Sequence, residues 1–394
     1  MCLSMRPSAL AEAADTMTGM IATRILRRAR VLIVGCGDVG MRALPLLQAR
    51  AAAPRVIALT HHPERASALR AAGATPIPGD LDVRASLRRL AGVAPSVLHL
   101  APPPRDGAAD SRTRALIATL RARHHSAARP AQTPVMAQRL ARGYMRAANL
   151  RARHALRDAV RAPGAPLKRH GQRPSSFAKT SFIVPDGPFS ASIRAASFRP
   201  GLRFVYASTT GVYGDCGGAW IDETRPARPE NERARRRVSA ENQLRAAGVA
   251  SGWRVSIARI PGIYAANRLP LARIERALPA LVESDDVYTN HIHADDLAAI
   301  LVRALWRGRP QRTINASDDT DLRMADYFDR VADAYGLPRV PRITRKEAQT
   351  RLEPITLSFM RESRRLSNAR LKRELGYVLR HPTVDDFLRS GARR

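Results

Sequence analysis

The stretch Val31-Leu32-Ile33-Val34-Gly35-Cys36-Gly37-Asp38-Val39-Gly40 decides the fold. Four apolar residues end in G-x-G-x-x-G, and from Met41 to Arg50 apolar residues recur at helical spacing through Met41, Leu44, Leu46 and Leu47. The order reads as strand, tight turn and helix. Each glycine has its own mechanical reason to be there. Gly35 permits the turn, Gly37 lets backbone approach a pyrophosphate, and Gly40 lets helix and strand pack closely. A helix starting at Asp38 and Val39 then presents free amides to the anion. The segment predicts a dinucleotide cradle at Gly35, Gly37, Asp38, Val39 and Gly40.

Outward from the cradle, Arg55 to Thr60 reads as a second strand and Glu64 to Ala72 as a second helix closed by Gly73, completing a βαβ unit. About twenty residues past the glycines, an acid would bind the ribose 2′-hydroxyl of NAD. The chain instead reads Thr60-His61-His62-Pro63-Glu64-Arg65. A hydroxyl, two imidazoles and a guanidinium suit a 2′-phosphate, so Thr60 and Arg65 favour NADP over NAD. Thr75 to Pro78 forms a third strand that leads to Asp80, on the ligand side of such a sheet, and Asp82 is placed to cap a helix through Leu87 and Leu90. A fourth strand, Ser96 to Leu100, runs into Ala101 and three prolines, a rigid loop beside the expected cofactor, and Arg112 to Leu120 reads as helical.

Further along, Leu202 to Ala207 reads as a fifth strand ending in Ser208-Thr209-Thr210-Gly211-Val212-Tyr213-Gly214, which places small hydroxyls in the ligand crevice. Ala234 to Ala247 follows as a helix, then a strand at Trp253 to Ile260 and another rim loop, Pro261-Gly262-Ile263-Tyr264. Helices are expected at Leu271 to Leu281, Ala294 to Trp306, Met324 to Tyr335 and Leu366 to Leu375. Asp295 and Asp296 there satisfy helix-start amides. The architecture expected is α/β: a doubly wound parallel-sheet Rossmann fold with a smaller C-terminal substrate lobe. Its parts are a disordered extension at 1–29, a dinucleotide-binding domain at 30–260 interrupted by a disordered insertion at 121–200, and a mainly helical lobe at 261–394.

Chain-wide composition limits the function classes. The 394 residues carry 66 Lys and Arg against 34 Asp and Glu, a formal net charge of +32. Residues 121–200 hold 16 of the basic residues against two acids, Asp158 and Asp186, so much of the excess is local. Lysine occurs only at Lys168, Lys179, Lys346 and Lys372, a lopsidedness that GC-rich coding also produces, so nucleic-acid binding is not the favoured reading of the charge. The three cysteines, Cys2, Cys36 and Cys216, have neither metal nor disulfide spacing, which fits a reducing, cytoplasmic compartment. No run of about 18 apolar residues indicates a membrane span. A small-molecule substrate and a monomer or homodimer are expected.

Together, Gly35 to Gly40, Ser208 to Gly214, Arg259 to Tyr264, Asn290 to Leu297 and Ser367 to Tyr377 resemble the extended short-chain dehydrogenases/reductases, also called the NAD-dependent epimerase/dehydratase family. The resemblance implies an oxidoreductase or epimerase using NADP or NAD, with Ala101 and Pro261 on the cofactor's rim and Thr209 at the active-site hydroxyl. Two features depart from the family. The glycine spacing is G-x-G-x-x-G rather than G-x-x-G-x-x-G, and the catalytic Tyr-x-x-x-Lys is replaced: anchored on Glu241, Arg233 stands at the tyrosine and Arg237 at the lysine. A guanidinium cannot act as a general acid or base near neutral pH. The candidate catalytic set is therefore Thr209, Tyr213 and Arg237, and a catalytically silent dinucleotide sensor is the alternative.

Overall fold

The computed structural model describes residues 29–126 and 201–391. Strand β1 (Arg30–Val34) lies inside a seven-stranded sheet with β2 (Arg55–Thr60), β3 (Thr75–Pro78), β4 (Ser96–His99), β5 (Arg203–Thr209), β6 (Arg254–Ile260) and β7 (Arg312–Asn315). The spatial order is β7-β6-β5-β4-β1-β2-β3, with every neighbouring pair parallel. The order reverses between β1 and β4, which is where doubly wound sheets open a ligand crevice.

Burial on both faces explains why β1 is continuously apolar rather than alternating. Val31 and Ile33 point into a core layer with Leu44 and Leu47 of α1 (Asp38–Gln48) and Leu301 of α5 (Ala294–Arg307). Leu32 and Val34 point into the opposite layer with Leu87, Leu116 of α3 (Ser111–Ser126), Leu244 of α4 (Glu232–Ser251) and Trp253. Full burial of such a side chain stabilises by roughly 1.5–3 kcal/mol. A separate hydrophobic cluster is built from Tyr264, Ile274, Phe328 and Val331 of α6 (Met324–Tyr335), Val384 and Phe387.

Several boundaries differ from expectation for identifiable reasons. The second helix begins as a 3-10 turn at Pro63–Arg65 and continues as α2 (Ala66–Ala71), with Gly73 at φ +78° ending it as expected. The Leu87–Leu90 segment is likewise a 3-10 helix, Arg84–Leu90. The helix expected over Leu271 to Leu281 covers only Leu271–Glu275: Ala277 takes a left-handed φ of 48°, Pro279 removes an amide, and Ala280–Leu281 pairs with Arg342–Ile343.

The sheet does not stop at residue 260. Strand β7 pairs with β6, and α5 fills the β1 core layer, so a division at 260 would cut through the seven-stranded sheet. Strand β7 is short and reads Arg-Thr-Ile-Asn, with polar residues at buried positions, so its pattern gives no strand signal. Helix α3 runs on to Ser126, past the expected start of the insertion. The expectation of disorder at 1–29 and 121–200 falls almost wholly on residues 1–28 and 127–200, outside the described residues. Among the described residues, no helix is long and apolar enough to cross a membrane.

Candidate active site

All seven strands end at one edge, so the turns after them share a rim. After β1, Gly35 sits at φ +87°, and a Cβ there would lie 2.5 Å from the Ala101 amide nitrogen. The turn is thus closed against the loop that follows β4, and Ala101 itself donates to Val34 O at 3.0 Å. Gly37 is the helix N-cap at φ −80°, and a Cβ added there meets nothing within 4 Å. Gly35 therefore shapes the cradle, while Gly37 keeps it open, which fits a closely approaching pyrophosphate. Gly40 acts within the loop rather than between helix and strand: its Cβ would meet Cys36 Sγ at 3.0 Å.

Charge around the cradle is mostly committed. The Asp38 carboxylate pairs with Arg42 at 3.1 Å and Arg268 at 3.3 Å, and Arg42 also donates to Asp295 at 2.6 Å. Asp38 thus has its backbone amide, not its side chain, to offer an anion; Val39 packs against the core. Burial pushes the Cys36 thiol up to about 11, and the Arg65 guanidinium acts against that shift, so Arg65 lies within electrostatic reach of the turn. Beside it, Thr60 Oγ1 accepts from His62 N at 3.1 Å, and His62 pairs with Glu64 at 2.8 Å. Asp80 Oδ1 accepts from Asp82 N at 2.9 Å, which curls the loop after β3. Asp82 does not cap a helix; Arg112 grips it through two bonds of 2.8 and 2.6 Å and lowers its pKa.

On the other side of the crevice, Thr209 closes β5 and its side chain accepts from Gly211 N, while Pro261 follows β6 at partial exposure. Arg237 donates to Ala207 O at 2.6 Å and to the Tyr206 hydroxyl at 3.2 Å, a placement that makes it a positioning residue for the end of β5. Tyr213 is not on the rim. It is 1% exposed, its hydroxyl donates to Asn315 Oδ1 at 2.7 Å, and the Arg259 guanidinium lies 4.6 Å from its ring centroid. The expected place facing a reacting carbon is not where the structure puts it: the ring lies against Arg259 and Asn315, paired neighbours on β6 and β7.

Beneath this rim is a polar network with no obvious pattern in the sequence. Ser208 Oγ donates to Glu241 Oε1 at 2.6 Å, and Arg259 donates to the same carboxylate at 3.1 and 2.8 Å. Glu223 accepts from Asn315 N at 2.8 Å and lies 3.3 Å from Arg370. Ser208, Glu241 and Arg259 each fall in or anchor a resembling motif, but their spacing gives no signal of the contacts, which form only through the sheet. Asp295 and Asp296 also differ from expectation. The cap of α5 is His293, whose side chain accepts from Asp295 N. Asp296 is fully buried and accepts from Tyr377 Oη, Arg380 N and His381 N at 2.7–2.9 Å, tying down the C-terminal segment.

Two cavities adjoin the rim. One, about 450 Å³, lies between Pro102–Arg105 and the start of α4. Another, about 350 Å³, lies between Ile263, His291, Tyr327 and Phe359. A wider hollow of about 840 Å³ over Asp215, Glu283 and Arg323 holds none of the sequence-assigned site residues. No group of three or more His, Cys, Asp or Glu suited to a metal occurs among the described residues.

The model of the NAD dependent epimerase/dehydratase family matches residues 169–317. No curated protein matches the chain. A functionally unknown conserved protein from Silicibacter pomeroyi shares 25% identity at a TM-score of 0.58, covering 92% of this chain and 98% of its own. A dTDP-glucose 4,6-dehydratase from Bacillus anthracis, solved with NAD, shares 13% identity at TM-score 0.58, with 92% and 95% covered. A UDP-glucuronic acid 4-epimerase from Bacillus cereus, also solved with NAD, shares 12% at 0.57, with 93% and 100% covered. The family model thus covers residues 169–317, and the strand order and glycine turn give the chain the same doubly wound fold as these neighbours.

Proposed function

We propose that the chain binds NADP, or NAD less tightly, across the β1–α1 turn and acts as an oxidoreductase or epimerase on a small polar substrate. The observation that carries this reading is the contrast between Gly35, closed on Ala101, and Gly37, open to free space at the start of α1. The bound dinucleotide supplies hydride exchange. The amides of Asp38 and Val39 face its pyrophosphate at the helix N-terminus. Gly40, Ala101 and Pro261 shape the walls, and Asp80 borders the adenine side. Thr60 and Arg65, at the end of β2, receive the 2′-phosphate, and Arg65 already acts electrostatically on Cys36 of the turn. Thr209 offers its hydroxyl to the substrate, with Arg237 fixing the backbone before it.

A second reading, a catalytically silent dinucleotide sensor, is favoured by one observation. The tyrosines Tyr206, Tyr213 and Tyr264 are at most 1% exposed, and the resemblance puts Arg233 and Arg237 where the family has its proton-transfer pair. Burial pushes the Tyr206 hydroxyl up to about 12, against the field of Arg237.

Titration of the protein with NADPH and NADH tests the first reading, and Arg65→Ala should narrow the gap between them. Binding of neither dinucleotide sinks both readings. Stoichiometric binding without turnover across a panel of carbonyl compounds and nucleotide sugars selects the sensor.

A further inference from the structure

Helix α4 begins with an unusual run, Glu232-Arg233-Ala234-Arg235-Arg236-Arg237. Arg233, Arg236 and Arg237 fall three and four residues apart and so share a helix face. All three line the cavity of about 450 Å³ whose other wall is Pro102-Pro103-Pro104-Arg105. The proline wall has no amide hydrogens at its prolines, and the charged donors that a ligand meets in the cavity are guanidinium groups.

These guanidinium groups are not neutralised by their surroundings. The carboxylate in the lining, Glu232, is paired with Arg235 on the neighbouring face. Asn231 is spent on Ala234 N and Glu362, and Glu362 on Arg364 at 2.8 Å. Arg233 has no hydrogen bond or ion pair among the described residues; its guanidinium carbon lies 4.5 Å from the Phe359 ring centroid. Burial, joined by the Arg237 and Arg236 charges against the pull of Glu362, holds the Arg233 guanidinium below its usual range. Arg236 is 8% exposed, donates to Gly107 O at 2.9 Å, and leaves its Nε buried and unpartnered. Clustered, partly desolvated guanidinium groups of this kind are the usual partners of planar or tetrahedral oxyanions.

We propose that this cavity is an oxyanion-recognition site, in which Arg233, Arg236 and Arg237 hold a carboxylate or phosphate group carried by the small-molecule substrate. The proposal rests on the cofactor-binding reading above and narrows its substrate class to compounds that are acidic at the end next to β4 and β5. The cofactor's own phosphates belong elsewhere: the glycine turn follows β1, whereas Arg237 is bonded to β5, with β4 between the two strands. Arginine at the family's tyrosine and lysine positions can anchor an acidic substituent, which a proton donor there does not do.

The test is calorimetric titration of the full chain, with saturating NADP or NAD, using inorganic phosphate and malonate as probes. Saturable binding of at least one probe is expected, weakened about tenfold or more in Arg233→Gln and largely restored in Arg233→Lys. Arg70→Gln, which removes the same charge from an exposed position on α2 outside this cavity, should change the affinity less than about twofold. Arg233 makes no hydrogen bond that its loss would break, so a folded variant is expected, with its melting temperature as the check. Equal anion affinity in wild type and Arg233→Gln overturns the proposal, as does competition between the probe and the dinucleotide. If neither dinucleotide binds, the reading above falls, and the same comparison on the unloaded protein decides this one.

Discussion

Glu241 on α4 and Arg259 on β6 form an ion pair closed off from solvent, with 2.8 Å between Arg259 Nη2 and Glu241 Oε2 and side chains 6% and 3% exposed. Ser208 adds a third bond to the same carboxylate, so helix and two adjacent strands are fastened at the point where the rim begins. A buried pair of this kind contributes little over an apolar substitute, but breaking it leaves one charge stranded.

Glu241→Leu is accordingly expected to destabilise the protein by about 3–5 kcal/mol, because Arg259 and Ser208 lose their shared acceptor inside the sheet. Adding Arg259→Met should recover most of that loss, since an apolar pair needs no compensation. Urea unfolding of both variants gives the answer. A single variant that loses less than about 1 kcal/mol would show that water reaches the site.

Tyr213→Phe separates a structural tyrosine from a catalytic one. Removing the hydroxyl strips Asn315 Oδ1 of its 2.7 Å donor in a closed pocket, at a cost of about 1–3 kcal/mol. Dinucleotide affinity should stay within about twofold of wild type. Unchanged stability combined with lost turnover would return Tyr213 to the reacting centre.

Local features were legible and long-range ones were not. The β1–α1 turn, helix Met324–Tyr335 and the terminating Gly73 follow from residues within a few positions of one another, where periodicity and φ preference act directly. By contrast, Ser208 meets Glu241 across 33 residues, and Tyr213 meets Asn315 across 102. Such pairs exist only once the sheet has brought its strands together. Strand β7 escaped notice for the same reason: Thr313 and Asn315 are polar yet buried, and their bonds to Arg245, Glu223 and Ser367 come from distant elements. The family resemblance pointed to Thr209 and the arginine pair as candidates, but which residues face inward depends on geometry.

Protonation sets opposing slopes on stability. Burial keeps His99 and His291 neutral, with pKa values lowered to about 3, and His293 lowered to about 4, against an ordinary 6.5. Unfolding releases these imidazoles to take up protons, so the stability they provide is complete above pH 6.5 and is lost as pH falls toward 4. Burial raises Asp318 to about 8 from 3.8, which works the other way: the native state holds a proton that the unfolded chain gives up, so stability falls as pH rises between those values. Between pH 4 and 6.5, three imidazoles outweigh one carboxyl and the net trend is acid destabilisation. Asp318→Asn should make that acid fall steeper and should gain on wild type as pH rises toward 8. Guanidinium unfolding midpoints across this range check both signs; parallel curves for the two proteins would refute the assignment to Asp318.

The two turn glycines should fail in different ways. Gly35→Ala forces a side chain into φ +87° and drives its Cβ to 2.5 Å from the Ala101 backbone, so β1 and β4 must part or the turn must rebuild. The left-handed backbone alone costs about 1–2 kcal/mol before the clash is counted. Gly37→Ala meets neither obstacle: φ −80° suits alanine, and its Cβ enters open space. That variant should stay within about 1 kcal/mol of wild-type stability. The open space is, however, where a pyrophosphate must come against the backbone, so a methyl group there should weaken NADP and NAD by about tenfold or more. Thermal melts and dinucleotide titrations on the same two variants separate shaping the cradle from filling it. Full dinucleotide affinity in Gly37→Ala would place the cofactor somewhere other than this turn.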